Sequence, residues 1–273
     1  MLFHILLALL AGICIGIFTG LCPGVHINMV SVILLSLSPI LLTYTSPLVL
    51  CVFIIAMAIT HTFLDTIPSI FLGAPDSVDV NVLPGHRMLL EGKGFEAVKI
   101  TIIGSYFCLL FGLLATPLLI FAAPAISEFL KPYIGYILLA VVIFMVVKDT
   151  SWEKRIWNLI IFLISGAFGV LVFSIPNFSD PLFPMLSGLF GVSGLLLSLS
   201  EASRIPRQEE TDSIRIPLKS QAKAMASGVF SGSLTGIFPG LGAAQAAILA
   251  MQLAGNIGTH AFMMLVGGIG TVA

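Results

Sequence analysis

His61 and Asp65 stand four residues apart at the end of an apolar run near 47–64. On a helix that spacing puts both side chains on one face. A carboxylate at bilayer depth costs on the order of 3 kcal/mol, and such residues mark ion or proton paths. Thr60, Thr62 and Thr66 add hydroxyl oxygens around the pair, donors that suit a hard cation such as Na⁺. Thr60, His61 and Asp65 are therefore the candidate ion-coupling residues, with Na⁺ or H⁺ as the ion. The competing reading puts Asp65 at the membrane surface, where the helix would end before Pro68.

A second set of residues is duplicated. The stretch 12–24 reads GICIGIFTGLCPG and 228–240 reads GVFSGSLTGIFPG, 216 residues further on. Six of the thirteen positions are identical, and all but the shared threonine are Gly or Pro. Gly12, Gly16 and Gly20 form a small-residue stripe on a helix, as do Gly228, Gly232 and Gly236, and close helix packing is the expected use of that spacing. Pro23-Gly24 and Pro239-Gly240 do something else. Proline lacks the N–H and disfavours a helical residue before it, while glycine permits φ > 0. Each dipeptide should break its helix. A break inside hydrocarbon is tolerated only within protein or against a water-filled cavity. New segments starting at Val25 and Leu241 would then aim free N–H groups and positive dipole ends at an anion. The candidate substrate-binding residues are Thr19, Gly20, Pro23, Gly24, His26 and Asn28 from the first copy, and Thr235, Gly236, Pro239, Gly240 and Gln245 from the second. Ordinary turns at the membrane surface are the alternative for the breaks, and capping or interhelical hydrogen bonding for His26, Asn28 and Gln245.

Other chemistry is missing from the pattern. Cys14, Cys22, Cys51 and Cys108 lie in apolar spans with no C-x-x-C pair, and read as small buried hydrophobes. No metal-ligand cluster, nucleophile elbow, dinucleotide fingerprint or phosphate loop occurs, so neither an enzyme nor a bound cofactor is expected. The net charge of −1 and the lack of a basic stripe give no reason to expect nucleic acid. His4 and His260 read as helix-end residues without a role.

The elements that must position these residues are membrane helices. Hydrophobic residues make up 58% of the chain and charged ones 9%, against about 25% charged in soluble domains. Runs of roughly 20 apolar residues, enough to cross a bilayer, recur near 2–21, 25–43, 47–64, 100–121, 133–147, 157–174 and 183–199, with further segments from 224, 242 and 259. The first lacks a basic flank and a small-residue cleavage site, so it reads as a span and not a signal peptide. Lys and Arg gather in 76–99, 148–156 and 200–223 and are nearly absent from 122–132 and 175–182. The rich loops should be cytoplasmic. Three crossings before 76–99 then make the two motif copies enter from opposite sides, the inverted-topology plan of secondary transporters. That count fails if 25–43 re-enters instead of crossing.

The expected fold class is all-α: a polytopic helix bundle with inverted repeats broken at Pro-Gly, in one transmembrane domain over 1–273. Repeat one takes 1–75, followed by the loop 76–99. Middle spans occupy 100–199, the linker 200–223, and repeat two 224–273. Repeat two reads as incomplete, so the chain is expected to be truncated within it.

The GxxxGxxxGxxPG motif, its polar-spotted sequel and its recurrence resemble the large permease subunit of the tripartite tricarboxylate transporters, the TctA-like family. The 74–97 stretch is similar to that family's APD/PGE-type turn and following segment, here Gly85, Met88 or Leu89, Gly92 or Gly94, and Ala97. TGLCPGVHIN looks most like an archaeal branch with His and Asn after the Pro-Gly. The resemblance implies a plasma-membrane carrier for organic carboxylates, ion-coupled, working with a small membrane subunit and an extracytoplasmic binding protein. His26 and Asn28 stand where many bacterial members have small residues. The competing functions are a lipid-phosphate (polyprenyl-phosphate) translocase and a structural membrane subunit with no substrate. Whether the chain forms homo-oligomers is open.

Overall fold

A computed structural model describes all residues except 23–24, 26, 73–83, 150, 177–180, 182–183, 186, 194–195, 197–204, 211–213 and 238–242. Among the described residues the chain is helical and has no strand. Helix α1 (Leu2–Leu21) has no proline or charge to interrupt it and stops at Cys22, whose extended backbone (φ −95, ψ 107) is what a following proline requires. Helices α2 (Ile27–Leu41) and α3 (Pro47–Leu64) follow, α3 opening on a proline whose missing N–H costs nothing at a helix start. Helix α4 (Thr66–Phe71) continues beyond a joint at Asp65. Pro68 causes the joint, because it cannot donate to the carbonyl of Leu64, four residues earlier.

Helices α5 (Pro84–Leu90) and α6 (Gly94–Leu130) come next. A 3₁₀ turn (Lys131–Tyr133) joins α6 to α7 (Ile134–Lys148), and α8 (Trp152–Phe173) follows. The expected loop at 122–132 is therefore mostly helix. Ala122, Ala123, Ala125, Ile126, Glu128 and Leu130 carry helix preference across it, and Pro117 and Pro124 lie inside α6, as membrane helices tolerate. No described residue of α7 or α8 is buried within the chain. A π-helical stretch, Ser187–Val192, lies in the expected 183–199 span. The chain closes with α9 (Leu218–Ile237), α10 (Ala243–Ala254) and α11 (Thr259–Val272). Among the described residues four helical stretches are long and apolar enough to span a bilayer: Leu2–Leu21, Pro47–Phe71, Gly94–Lys148 and Trp152–Phe173.

Helix directions follow from the close approaches. A Cβ on Gly12, Gly16 or Gly20 would meet the carbonyl of Phe53, Met57 or His61 respectively, so α1 and α3 run parallel. Helix α2 lies between them in the chain and, at 15 residues, is not among the helices long enough to span a bilayer. Gly228, Gly232 and Gly236 face the carbonyls of Leu265, Ile269 and Ala273 in the same order, so α9 and α11 are also parallel. Helix α6 runs with them, since Glu96 meets His260, Gly104 meets Met264 and Gly112 meets Val272. The end of α4 packs against the start of α6, in a core shared with the other two helices. Ile70 packs in one core with Ala97, Ala224 and Ala261, and the Phe71 and Phe95 rings lie 5.8 Å apart, tilted at 51° to each other. Repeat one therefore runs into the face from which repeat two departs, and the two motif helices are antiparallel.

Basic segments collect at that shared face. The Gln208 side chain of the linker accepts from the Gly94 N–H at 2.7 Å and donates to the Leu89 carbonyl at 3.1 Å. The Glu209 N–H donates to the Gly92 carbonyl at 2.8 Å. The linker thereby satisfies the last carbonyls of α5 and the first N–H of α6, groups that a helix cannot pair itself.

Candidate functional site

The first glycine stripe brings α1 against α3 closely enough for side chains one position away to bond across the gap. Thr19 is buried, and its hydroxyl donates to the Gly16 carbonyl at 3.3 Å. The same oxygen lies 3.0 Å from Nδ1 of His61, which is 5% exposed. On its other side, Nε2 of His61 lies 3.9 Å from Asp65 Oδ2. That is ion-pair range, too long for a direct hydrogen bond. Thr19, His61 and Asp65 thus form one polar line from the motif helix to the joint between α3 and α4. Asp65 is the joint itself, closing α3 and preceding α4 within the apolar stretch Pro47–Phe71, and its side chain is 42% exposed. A buried imidazole in such a place needs partners, and the motif threonine supplies one.

The other hydroxyls do not converge. Thr60 Oγ1 donates to the Ala56 carbonyl at 2.8 Å and Thr62 Oγ1 to that of Ile59 at 3.0 Å. Two residues apart on a helix, they point to different faces. The Thr66 hydroxyl, beside Asp65, is buried without a hydrogen-bond partner. Ser69 Oγ donates to the Asp65 carbonyl at 2.7 Å, and His86 Nε2 contacts the Ser69 carbonyl at 2.7 Å, tying α5 to α4 below the pair.

In the second copy Thr235 Oγ1 donates to the Gly232 carbonyl at 2.6 Å, repeating the Thr19 geometry. Its register partner differs: Ala273 occupies the place relative to Gly236 that His61 takes relative to Gly20. At that one position the second copy has alanine where the first has histidine. Pro23, Gly24, His26, Pro239, Gly240 and Leu241 lie outside the described residues. Helix α2 begins at Ile27 rather than Val25, which places Asn28 in its first turn, and Gln245 falls in the first turn of α10, begun at Ala243.

A pair that sequence reading missed lies at the start of α6 and α11. His260 Nε2 is 3.0 Å from Glu96 Oε1, joining the first turns of α11 and α6. His260 stands 164 residues from Glu96, so no local spacing signalled the contact. Among the described residues no group of three or more His, Cys, Asp or Glu could hold a metal. A surface depression lined by Met1, His4, Tyr44 and Val49 lies at the opposite end of repeat one from His61.

The sequence profile of the tripartite tricarboxylate transporter TctA family matches residues 6–270, nearly the whole chain. The chain belongs to that family. An uncharacterized protein of Methanocaldococcus jannaschii is 33% identical over 153 residues, covering 54% of this chain and 38% of that protein. The chain thus matches well under two thirds of that relative's length. No solved structure matches. As a TctA-family chain it is a multi-pass membrane protein and a component of a transporter. The duplicated motif, both glycine stripes and the His61–Asp65 pair all lie within the matched residues.

Proposed function

We propose that this chain is the permease of a secondary carrier that moves a small organic anion, a di- or tricarboxylate, by ion coupling. The observation that carries the reading is the line Thr19–His61–Asp65. It joins the repeated motif directly to an acid within an apolar span, where such groups are expensive unless used. Coupling resides in His61 and Asp65, with Thr19 as the link to the motif, while the Thr60 hydroxyl stays on the Ala56 carbonyl of its own helix. The anion binds at the two proline-glycine breaks, which end helices entering from opposite faces, an arrangement in which half-helix dipoles attract a carboxylate. A small membrane subunit and an extracytoplasmic binding protein work with it, as the family name's "tripartite" supports.

The test is uptake of labelled citrate, succinate and related carboxylates by proteoliposomes holding the full-length protein and its partner subunits, under imposed Na⁺ or H⁺ gradients. Asp65→Asn keeps size and deletes the charge, and should abolish gradient-driven uptake while membrane insertion continues. Wild-type rates in Asp65→Asn would return Asp65 to a capping role worth roughly 1 kcal/mol. Translocation of polyprenyl phosphate without any carboxylate uptake would favour the lipid carrier. Neither activity would favour a structural subunit.

A further inference from the structure

We infer that the joint between α3 and α4 is a sodium site, formed by the Asp65 carboxylate, the Thr66 hydroxyl and the Leu64 carbonyl; its use in coupling rests on the carrier reading above. Thr60, Thr62 and Ser69 near the joint each donate to a helix carbonyl, at 2.8, 3.0 and 2.7 Å. Helical serines and threonines can satisfy themselves in this way. Thr66 does not. Its Oγ1 is shut off from water and has no hydrogen-bond partner. An oxygen left so is costly, and its lone pairs are what a hard cation takes.

The backbone is opened at the same point. The Asp65 N–H donates to the His61 carbonyl at 2.8 Å and the Ser69 N–H to the Asp65 carbonyl at 3.2 Å. The ladder bond from residue 68 to the Leu64 carbonyl cannot form, because residue 68 is proline. Leu64 is also the last residue of α3, so its carbonyl stands at the negative end of that helix's dipole. Carbonyl, carboxylate and hydroxyl thus belong to three consecutive residues within the apolar stretch Pro47–Phe71. Broken membrane helices hold Na⁺ with helix ends and released carbonyls of this kind. The set is all oxygen and carries one negative charge. A monovalent cation neutralises it, whereas a divalent one would leave a net charge in an apolar span. The strong field of a carboxylate favours Na⁺ over the larger K⁺. The Asp65 side chain is 42% exposed, which gives the ion a way in and lets water complete the shell. His61, whose Nε2 lies 3.9 Å from the carboxylate, offers nitrogen and stays outside the set.

The full chain in lipid nanodiscs is titrated with NaCl at fixed pH, choline chloride holding the ionic strength. The thermal unfolding midpoint is followed, and bound radioactive sodium is counted in parallel. The midpoint should rise with Na⁺ and saturate, and K⁺ over the same range should not move it. Asp65→Asn should abolish both the shift and the bound sodium. Thr66→Val replaces the hydroxyl by a methyl and should raise the half-saturating Na⁺ about ten-fold, the scale on which losing a supporting group weakens a metal site. Thr66→Ser should restore it. Pro68→Ala returns a donor to the Leu64 carbonyl and should also weaken binding. Thr62→Val, whose hydroxyl is already engaged within its helix, should bind Na⁺ as the parent does. Thr66→Ser and Pro68→Ala keep the test decisive if Asp65→Asn fails to insert. No saturable Na⁺ response in the parent, or one that Thr66→Val and Pro68→Ala leave unchanged, overturns the site, and citrate uptake persisting on a pH gradient would then leave the carrier reading standing. Sodium binding that Thr66→Val weakens, with no carboxylate uptake under either gradient, upholds the site and overturns the carrier reading instead.

Discussion

Gly104→Ala should separate α6 from α11. A Cβ built on Gly104 would lie 2.0 Å from the Met264 carbonyl oxygen, 2.7 Å from its carbon and 2.8 Å from its Cα. All three are backbone atoms, so no rotamer change can make room. Restoring ordinary contact needs the helices to part by on the order of 1 Å. That gap would also disturb the Ser105 hydroxyl, which donates to the Gly267 carbonyl at 3.0 Å, and Cys108, buried against Gly268. Overpacking of this kind costs about 1–3 kcal/mol, and the loss of the Ser105 bond adds about 1 kcal/mol. At about 2–4 °C per kcal/mol for a chain of this general size, the unfolding midpoint in detergent should drop by several degrees. Cys108 supplies a local readout. In a background with Cys14, Cys22 and Cys51 changed to Ser, maleimide should label Cys108 faster in Gly104→Ala than in the parent. The control is Gly166→Ala, where nothing lies within 4 Å of the added methyl. There alanine should raise stability by up to about 1 kcal/mol through helix preference. Equal midpoints and equal Cys108 labelling for the two substitutions would refute the close-approach argument.

Gly16→Ala would meet the Met57 carbonyl oxygen at 2.6 Å and the Thr60 Cβ at 2.7 Å. It should cost about 1–3 kcal/mol in a thermal scan, and should weaken the His61–Thr19 contact as seen in the histidine NMR spectrum. Gln208→Ala leaves the Gly94 N–H and Leu89 carbonyl without their side-chain partner. It should cost about 1 kcal/mol and speed tryptic cleavage after Arg207 in inside-out vesicles. Sidedness is checked with single cysteines: Tyr44→Cys should react with an impermeant maleimide in intact cells, and Lys93→Cys only in inside-out vesicles. Both reacting from one side would undo the assigned directions.

The membrane class, both glycine stripes and the opposed directions of the two repeats were legible in the sequence, because small-residue spacing and loop charge are local signals. The His61–Asp65 pairing was legible for the same reason, being one helical turn long. The partnership of His61 with Thr19 was not: the two are 42 residues apart, and only the register of α1 on α3 makes them neighbours. The Glu96–His260 pair was hidden by a still longer separation. Helix continues through most of 122–132, where a loop was expected, because the alanines around Pro124 favour helix and a membrane helix tolerates the proline. Of the anion site, Thr19 and Gly20 are placed against His61, Thr235 and Gly236 repeat their register, and the dipeptides themselves fall outside the described residues.

The Gly104 crossing has a consequence for anyone cutting this chain in two. The linker 200–223 divides the sequence into its two repeats, yet α6 belongs by packing to α9 and α11. A gene split there would put α6 on one fragment and the partners that cover Gly104, Ser105 and Cys108 on the other. Reassembly would depend on two chains finding that narrow groove in the bilayer. A split between α4 and α5 instead leaves the groove closed within the second fragment, so complementation should favour the cut that ignores the repeat boundary.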